Sequence, residues 1–145
     1  PVPRFDFEGL KFVTAHSSVP LMADESCWDS KDALQLVSQR AVDLINIKLM
    51  KCGGLYEAKK ITAIAEAAGV EVMLGCMAEE SGIGVTAAAS LGAALKNITR
   101  ADLDATFSLK ELPYEGGFTV KDTRHLILSS DPGLGIKCLK KEMLA

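Results

Sequence analysis

Four times in its first 104 residues the chain makes a short strand-like run and then stops at groups that can do chemistry or shape a wall. Val19-Pro20-Leu21-Met22-Ala23 stops at Asp24 and Glu25, Ile45-Asn46-Ile47 at Lys48, Val72-Met73-Leu74 at Gly75-Cys76-Met77, and Thr99-Arg100-Ala101 at Asp102-Leu103-Asp104. The stops fall at 24, 48, 75 and 102, so 24, 27 and 27 residues separate them. One strand, one helix and two short loops fill such an interval, and parallel strands have to be joined by a crossover of this kind. The expected fold is α/β, with a parallel sheet whose strand ends carry the function.

Helices are expected over 6–17 behind Asp6, over 30–40 behind Asp29-Ser30-Lys31-Asp32, over 55–68 between Gly53-Gly54 and Gly69, and over 85–95. The strands between them are placed at 19–24, 42–48, 70–74 and 98–102. With a period of two, Asn46 and Lys48 share one face of their strand and Ile45, Ile47 and Leu49 the other; Arg100, Asp102 and Asp104 share a face opposite Ala101 and Leu103. A doubly wound sheet is covered by helices on both faces and its strands read as continuously apolar, so a polar second face favours a barrel interior. Eight βα units take about 250 residues. This chain holds four, which makes it half of a TIM-type barrel.

Residues 1–104 are therefore read as the half barrel, and 105–145, with Leu112-Pro113-Tyr114-Glu115-Gly116-Gly117 and Asp131-Pro132-Gly133-Leu134-Gly135, as a turn-rich C-terminal tail appended to it with one or two short strands. The opening Pro1-Val2-Pro3, without an initiator methionine or a cap, reads as the interior of a connection, so the chain is expected to be a piece of a larger barrel.

Composition narrows the partners. The chain of 145 residues, 48% hydrophobic and 24% charged, can bury a core and is not a disordered segment. A net charge of −3, with no basic run beyond the small cluster Lys137, Lys140 and Lys141, gives no reason to expect nucleic acid or an anionic membrane as partner. No stretch approaches the roughly 18 apolar residues of a membrane span, and the start lacks the layout of a signal peptide, so the expected location is the cytoplasm. Cys27, Cys52, Cys76 and Cys138 form no C-x-x-C pair and are read as reduced thiols.

Asp24 is a hard oxygen donor suited to Mg²⁺, its rival role being to cap the loop that follows. Lys48 is expected to point into the barrel, where a neighbouring cation would move its pKa toward the range of a base; the rival reading is a lysine snorkelling at the rim. Lys51 is expected to face solvent or a loop. Asp102 and Asp104, two apart on a strand, would repel unless a cation such as a substrate ammonium lies between them, or unless Arg100 neutralises one. Cys76 and Met77 read as a wall, since His16 and His125 lie too far off in the chain to make Cys76 a nucleophile.

Taken together, Met22-Ala23-Asp24-Glu25-Ser26, Asn46-Ile47-Lys48-Leu49-Met50-Lys51-Cys52-Gly53-Gly54, Gly75-Cys76-Met77-Ala78-Glu79, Ile83-Gly84-Val85-Thr86-Ala87-Ala88-Ala89 and Ala101-Asp102-Leu103-Asp104 resemble the enolase superfamily, and within it the dipeptide epimerases. The resemblance implies strands five to eight of a modified (β/α) barrel. It implies a Mg²⁺ ion that stabilises the enediolate left when the proton α to a carboxylate is removed, and a two-base 1,1-proton transfer. On this likeness Asp24 matches the third metal ligand, Lys48 the acid/base on one side of the substrate, and Asp102 with Asp104 the pair that holds the dipeptide's ammonium, while Cys76 and Met77 line the substrate. The Lys-x-Lys of the second strand and the acidic ligands of the third and fourth are absent from the chain, the last being expected just before Pro1. The segment 78–82 is one residue longer than the family pattern, which loosens any match for Glu79 or Glu80.

The expected activity is Mg²⁺-dependent dipeptide epimerisation by the full-length enzyme, with the isolated chain inactive. Its rivals are another superfamily activity, acid-sugar dehydration or cycloisomerisation, and a non-catalytic half barrel that self-associates through its open sheet edges.

Overall fold

The structure, a computed structural model, describes residues 2–140, and the readings placed on Pro1 and on 141–145 lie outside them. In chain order the elements are α1 (Phe7–His16), β1 (Met22–Ala23), α2 (Ser30–Ser38), β2 (Leu44–Ile47), α3 (Leu49–Cys52), α4 (Leu55–Ala67), β3 (Glu71–Gly75), α5 (Gly82–Ala94) and β4 (Ile98–Asp102). A 3₁₀ turn (Ala105–Ser108) follows, then β5 (Tyr114–Gly116), β6 (Phe118–Lys121), β7 (His125–Leu128) and β8 (Ile136–Leu139). Helices α1 and α2 start where the sequence places their caps: Asp6 accepts the Gly9 N–H at 2.8 Å, and Asp29 accepts those of Lys31 and Asp32. Helix α5 starts at Gly82, ahead of the expected 85, because Ser81 caps it by accepting the Gly84 N–H.

β1, β2, β3 and β4 pair in that order and every pair is parallel. A doubly wound sheet reverses its strand order at a switch point. This one advances in a single direction, as a barrel does, and it is half of one. On the helix side Ile45, Ile47, Val72 and Leu74, each at most 1% exposed, pack with Leu36, Ile61, Val85 and Leu91. Burying each large aliphatic side chain contributes about 1.5–3 kcal/mol, so this layer holds the sheet in place. The opposite face carries Asn46, Met73, Gly75, Arg100 and Asp102, matched by the register Asn46 with Met73, Met73 with Arg100 and Gly75 with Asp102. Gly75 makes room there, because a Cβ on it would come within 2.7 Å of the Asn46 Oδ1.

Three expectations are corrected. The strand at 19–24 is only Met22–Ala23, since Pro20 has no N–H to give a ladder and Leu21 spends its own on the Asp43 carboxylate at 2.7 Å. Asp24 therefore lies just past the strand. A one-turn helix, α3, stands between Lys48 and Gly53, closed by Gly53 in the left-handed region at φ 85°. The tail has four short strands, β5 pairing with β8 and β6 with β7, where one or two were expected. It is not loosely appended either. Tyr114, 3% exposed, seats its ring against Gly82 at the start of α5, and Phe118 and Leu126 pack on the core.

All four cysteines are unpaired thiols. Burial pushes the Cys27 thiol up to about 12, against the pull of the nearby Lys51 charge. At pH 8 only about one Cys27 in ten thousand is then thiolate, the reactive form. Peptide mapping after native alkylation with iodoacetamide at pH 8 is expected to find Cys138, which is exposed, modified and Cys27 untouched until the chain is unfolded. Equal labelling of the two would contradict the burial.

Candidate active site

Because the sheet is parallel, the C-terminal ends of β1 to β4 line one rim, and the strand-end residues form two groups along it. In the first, Asp24 lies between two lysines. Its Oδ2 takes an ion pair from Lys48 Nζ at 2.8 Å and its Oδ1 one from Lys51 Nζ at 2.8 Å. Lys48 is the N-cap of α3, so the end of β2 delivers it to the rim, whereas Lys51 is carried back toward the sheet by the single turn of α3. Lys51 also donates to the main-chain carbonyls of Asp24 and Asn46, the latter at 2.9 Å.

Burial acts to raise the Asp24 pKa, but hydrogen bonds from Lys48 and Lys51 outweigh it and the carboxyl is held below its usual range. The same contact with Asp24 raises Lys48, against a smaller opposing effect of burial, with Glu25 and Cys76 near enough to add to it. This is the reverse of the shift expected for a lysine beside a cation, because the neighbour that Lys48 meets is an anion. In this arrangement Lys48 is held in its protonated form. Lys51 is the clear miss. Read as facing solvent or a loop, it is buried, its side chain 3% exposed, with oxygen atoms on every side of its ammonium.

The second group stands at the ends of β3 and β4. The Cys76 thiol lies 3.6 Å from Asp104 Oδ1 and 3.3 Å from the Asp102 carbonyl oxygen, and burial raises its pKa. A hollow of about 480 Å³ is lined by Cys76, Met77, Glu79, Asp104 and Ser108 among others, so three of the expected substrate residues meet there. Asp102 lines a larger groove of about 620 Å³ that runs along β4, where Asp104 joins it. Glu80, 2% exposed and left doubtful by the sequence, fixes this corner: its Oε2 accepts the Met77 N–H at 3.0 Å. A carboxylate directly ahead of a helix-capping serine, Ser81, is the sequence signal that could have found it.

Two pairings differ from expectation. Arg100 does not neutralise Asp102 or Asp104; it reaches across to Glu71 on the neighbouring strand and to its own neighbour Thr99. The register shift at Val72/Met73 leaves Thr99 as an extra residue on β4 and brings Arg100 beside Met73, two positions on from Glu71 on the same face. Asp104 does not share a strand face with Asp102, because β4 ends at Asp102 and Asp104 adopts helical angles to start the 3₁₀ turn.

Asp24 is a suitable ligand for a divalent cation, an ionised hard oxygen partly open to the rim. Among the described residues no cluster of three or more His, Cys, Asp or Glu side chains could hold a metal, so Asp24 fits as one ligand of a site that the other described residues do not complete.

The chain matches the model of the enolase C-terminal domain-like family over residues 1–142. It belongs to that family. It is 60% identical over 136 residues to the hydrophobic dipeptide epimerase of Enterococcus faecalis, an alignment covering 94% of this chain and 38% of that protein. The L-Ala-D/L-Glu epimerase of Bacillus subtilis is 47% identical over 136 residues, with 94% and 37% covered. The crystal structure of the Enterococcus faecalis dipeptide epimerase complexed with Mg and the dipeptide L-Leu-L-Tyr superposes with a TM-score of 0.91 at 59% identity, covering 95% of this chain and 39% of that one. The chain thus spans under two fifths of the length of these curated relatives. The half-barrel reading and the likeness to the dipeptide branch of the enolase superfamily both hold.

Proposed function

We propose that this chain supplies strands five to eight of a Mg²⁺-dependent dipeptide epimerase, an isomerase that inverts the α carbon next to a substrate carboxylate. One observation carries the reading: an anionic strand end, Asp24, and a cationic one, Lys48, stand 2.8 Å apart on the rim where the parallel strands end. Lys48 holds a proton at Nζ on one side of the substrate and delivers or takes it at the α carbon. Asp24 presents an ionised oxygen to the cation. Asp102 and Asp104 supply negative charge for the ammonium of a dipeptide, and Cys76 and Met77 form the wall between them and Lys48. When bound, Mg²⁺ supplies the charge that stabilises the enediolate and so makes the α proton removable.

The relatives named above support the dipeptide as substrate. The second base and the other metal ligands have to come from outside this chain, so the isolated 145 residues are expected to be inactive; robust epimerisation of L-Ala-D/L-Glu by them alone would overturn this. In the complete barrel, Asp102→Asn and Asp104→Asn are expected to raise the dipeptide KM about tenfold to a hundredfold each, the loss of one charge-assisted hydrogen bond. Unchanged dipeptide binding in both variants would favour an acid-sugar or cycloisomerase substrate instead.

No helix among the described residues is long and apolar enough to cross a membrane, and the four free thiols fit a reducing compartment, which supports a cytoplasmic location. A second reading, self-association of the half barrel, is favoured by β1 and β4, which among the described residues have no strand on their outer sides. Light scattering at high concentration tests it: a dimer is expected, and a clean monomer counts against it.

A further inference from the structure

A lysine ammonium has three donor protons and no acceptor. Lys51 faces three oxygens: Asp24 Oδ1 at 2.8 Å, the Asn46 carbonyl at 2.9 Å and the Asp24 carbonyl. With its side chain 3% exposed and every donor engaged, it has no proton to offer a substrate and no route to one. Burying a cation is costly unless its partners are complete, and here they are. The Lys48 contact is of another kind. Lys48 meets Asp24 through Oδ2 alone, and its side chain is 16% exposed. Two ammonium groups therefore divide one carboxylate unequally: one is locked to the main chain of two neighbouring strand ends, the other is held by a single exchangeable pair.

We propose that Lys51 is a positioning residue for Asp24, pinning the carboxylate through Oδ1 and the Asp24 carbonyl so that Oδ2 is the oxygen presented to a divalent cation, with Lys48 the only group that gives way. The proposal rests on the reading of Asp24 as a cation ligand. It separates the two lysines of Lys48-Leu49-Met50-Lys51, which look alike in the sequence, into a mobile proton carrier and a fixed strut. It also accounts for α3, the one turn that brings Lys51 back over the end of β2. Groups that orient a metal ligand typically cost about tenfold to a hundredfold in metal affinity when removed.

The test uses the complete barrel and Mn²⁺ as probe, titrated by the EPR signal of the free ion. Lys51→Met is expected to raise the Mn²⁺ Kd about tenfold or more. At saturating Mn²⁺ its dipeptide KM should stay near that of the unaltered enzyme, a split that a general loss of stability would not produce. Asp24→Asn is expected to abolish binding at this site. If Asp24→Asn binds Mn²⁺ as tightly as the unaltered protein, the reading of Asp24 as ligand fails; if Asp24→Asn loses binding while Lys51→Met keeps an unchanged Kd, the role of Lys51 alone is overturned. Should Lys51→Met fail to fold, ¹⁵N NMR of the unaltered protein decides. The Lys51 ammonium protons are expected to remain protected from water exchange when Mg²⁺ is added, while the coupling of Lys48 to Asp24 is lost. Release of Lys51 by Mg²⁺ would overturn the proposal.

Discussion

Lys48→Met in the complete barrel is expected to lower kcat for dipeptide epimerisation by about 10³-fold, the usual worth of a positioned proton carrier. The methionine keeps the length of the stem, and Asp24 keeps its second partner, Lys51, so the rim should hold its shape. Epimerisation needs a proton carrier on each side of the α carbon, and the variant lacks one. In D₂O it should still exchange the α hydrogen of one epimer while failing to interconvert the two, which ¹H NMR of the substrate reads directly. Near-normal turnover, or loss of exchange for both epimers, would remove Lys48 from the proton path.

Gly82→Ala is expected to destabilise the folded protein by about 3 kcal/mol, toward the upper end of what overpacking costs. An ideal Cβ at this position would lie 1.7 Å from the Tyr114 Oη and 2.9 Å from its Cζ, inside any tolerable contact. Either the start of α5 or the tail strand β5 has to move, and β5 is held by only three residues paired with β8. The ring should be expelled, the tail loosened, and the chain cut by protease within 109–135 at lower enzyme concentration. Tyr114→Phe in the same background removes the closest atom and is expected to recover part of the loss, since this hydroxyl is buried and the Thr86 side chain near it makes no well-aligned hydrogen bond with it. The coupling is read from a double-mutant cycle in urea. Full stability in Gly82→Ala would mean that Tyr114 does not occupy this notch.

Much of the rim was legible because strand ends are a local property. An apolar run, a polar stop and a helix cap are each written in a handful of consecutive residues, and their spacing dictates parallel order. Asp24, Lys48, Cys76 and Asp104 all reach the rim on that logic, and Asn46 turns inward as its period predicts. Lys51 was lost because α3 is four residues long, too short for any periodicity, and one helical turn reverses the direction read by extending the strand. The rival reading, in which Arg100 neutralises Asp102 or Asp104, fails for a different reason. The partner of Arg100, Glu71, is 29 residues away and is chosen by a register that includes one extra residue, Thr99.

The alternation of apolar runs with chemical stops, taken with the family likeness, was enough to determine the half barrel, its strand order and the candidates for metal ligand and proton carrier. Which charge meets which was decided only by the tertiary structure. Contacts between strand ends depend on register, on where an edge strand stops and on how a short turn folds back, and each of these is set by packing between residues 20 to 30 positions apart. So it is that Asp24, one acidic stop among several in the chain, becomes a carboxylate held between a buried lysine and an exchangeable one.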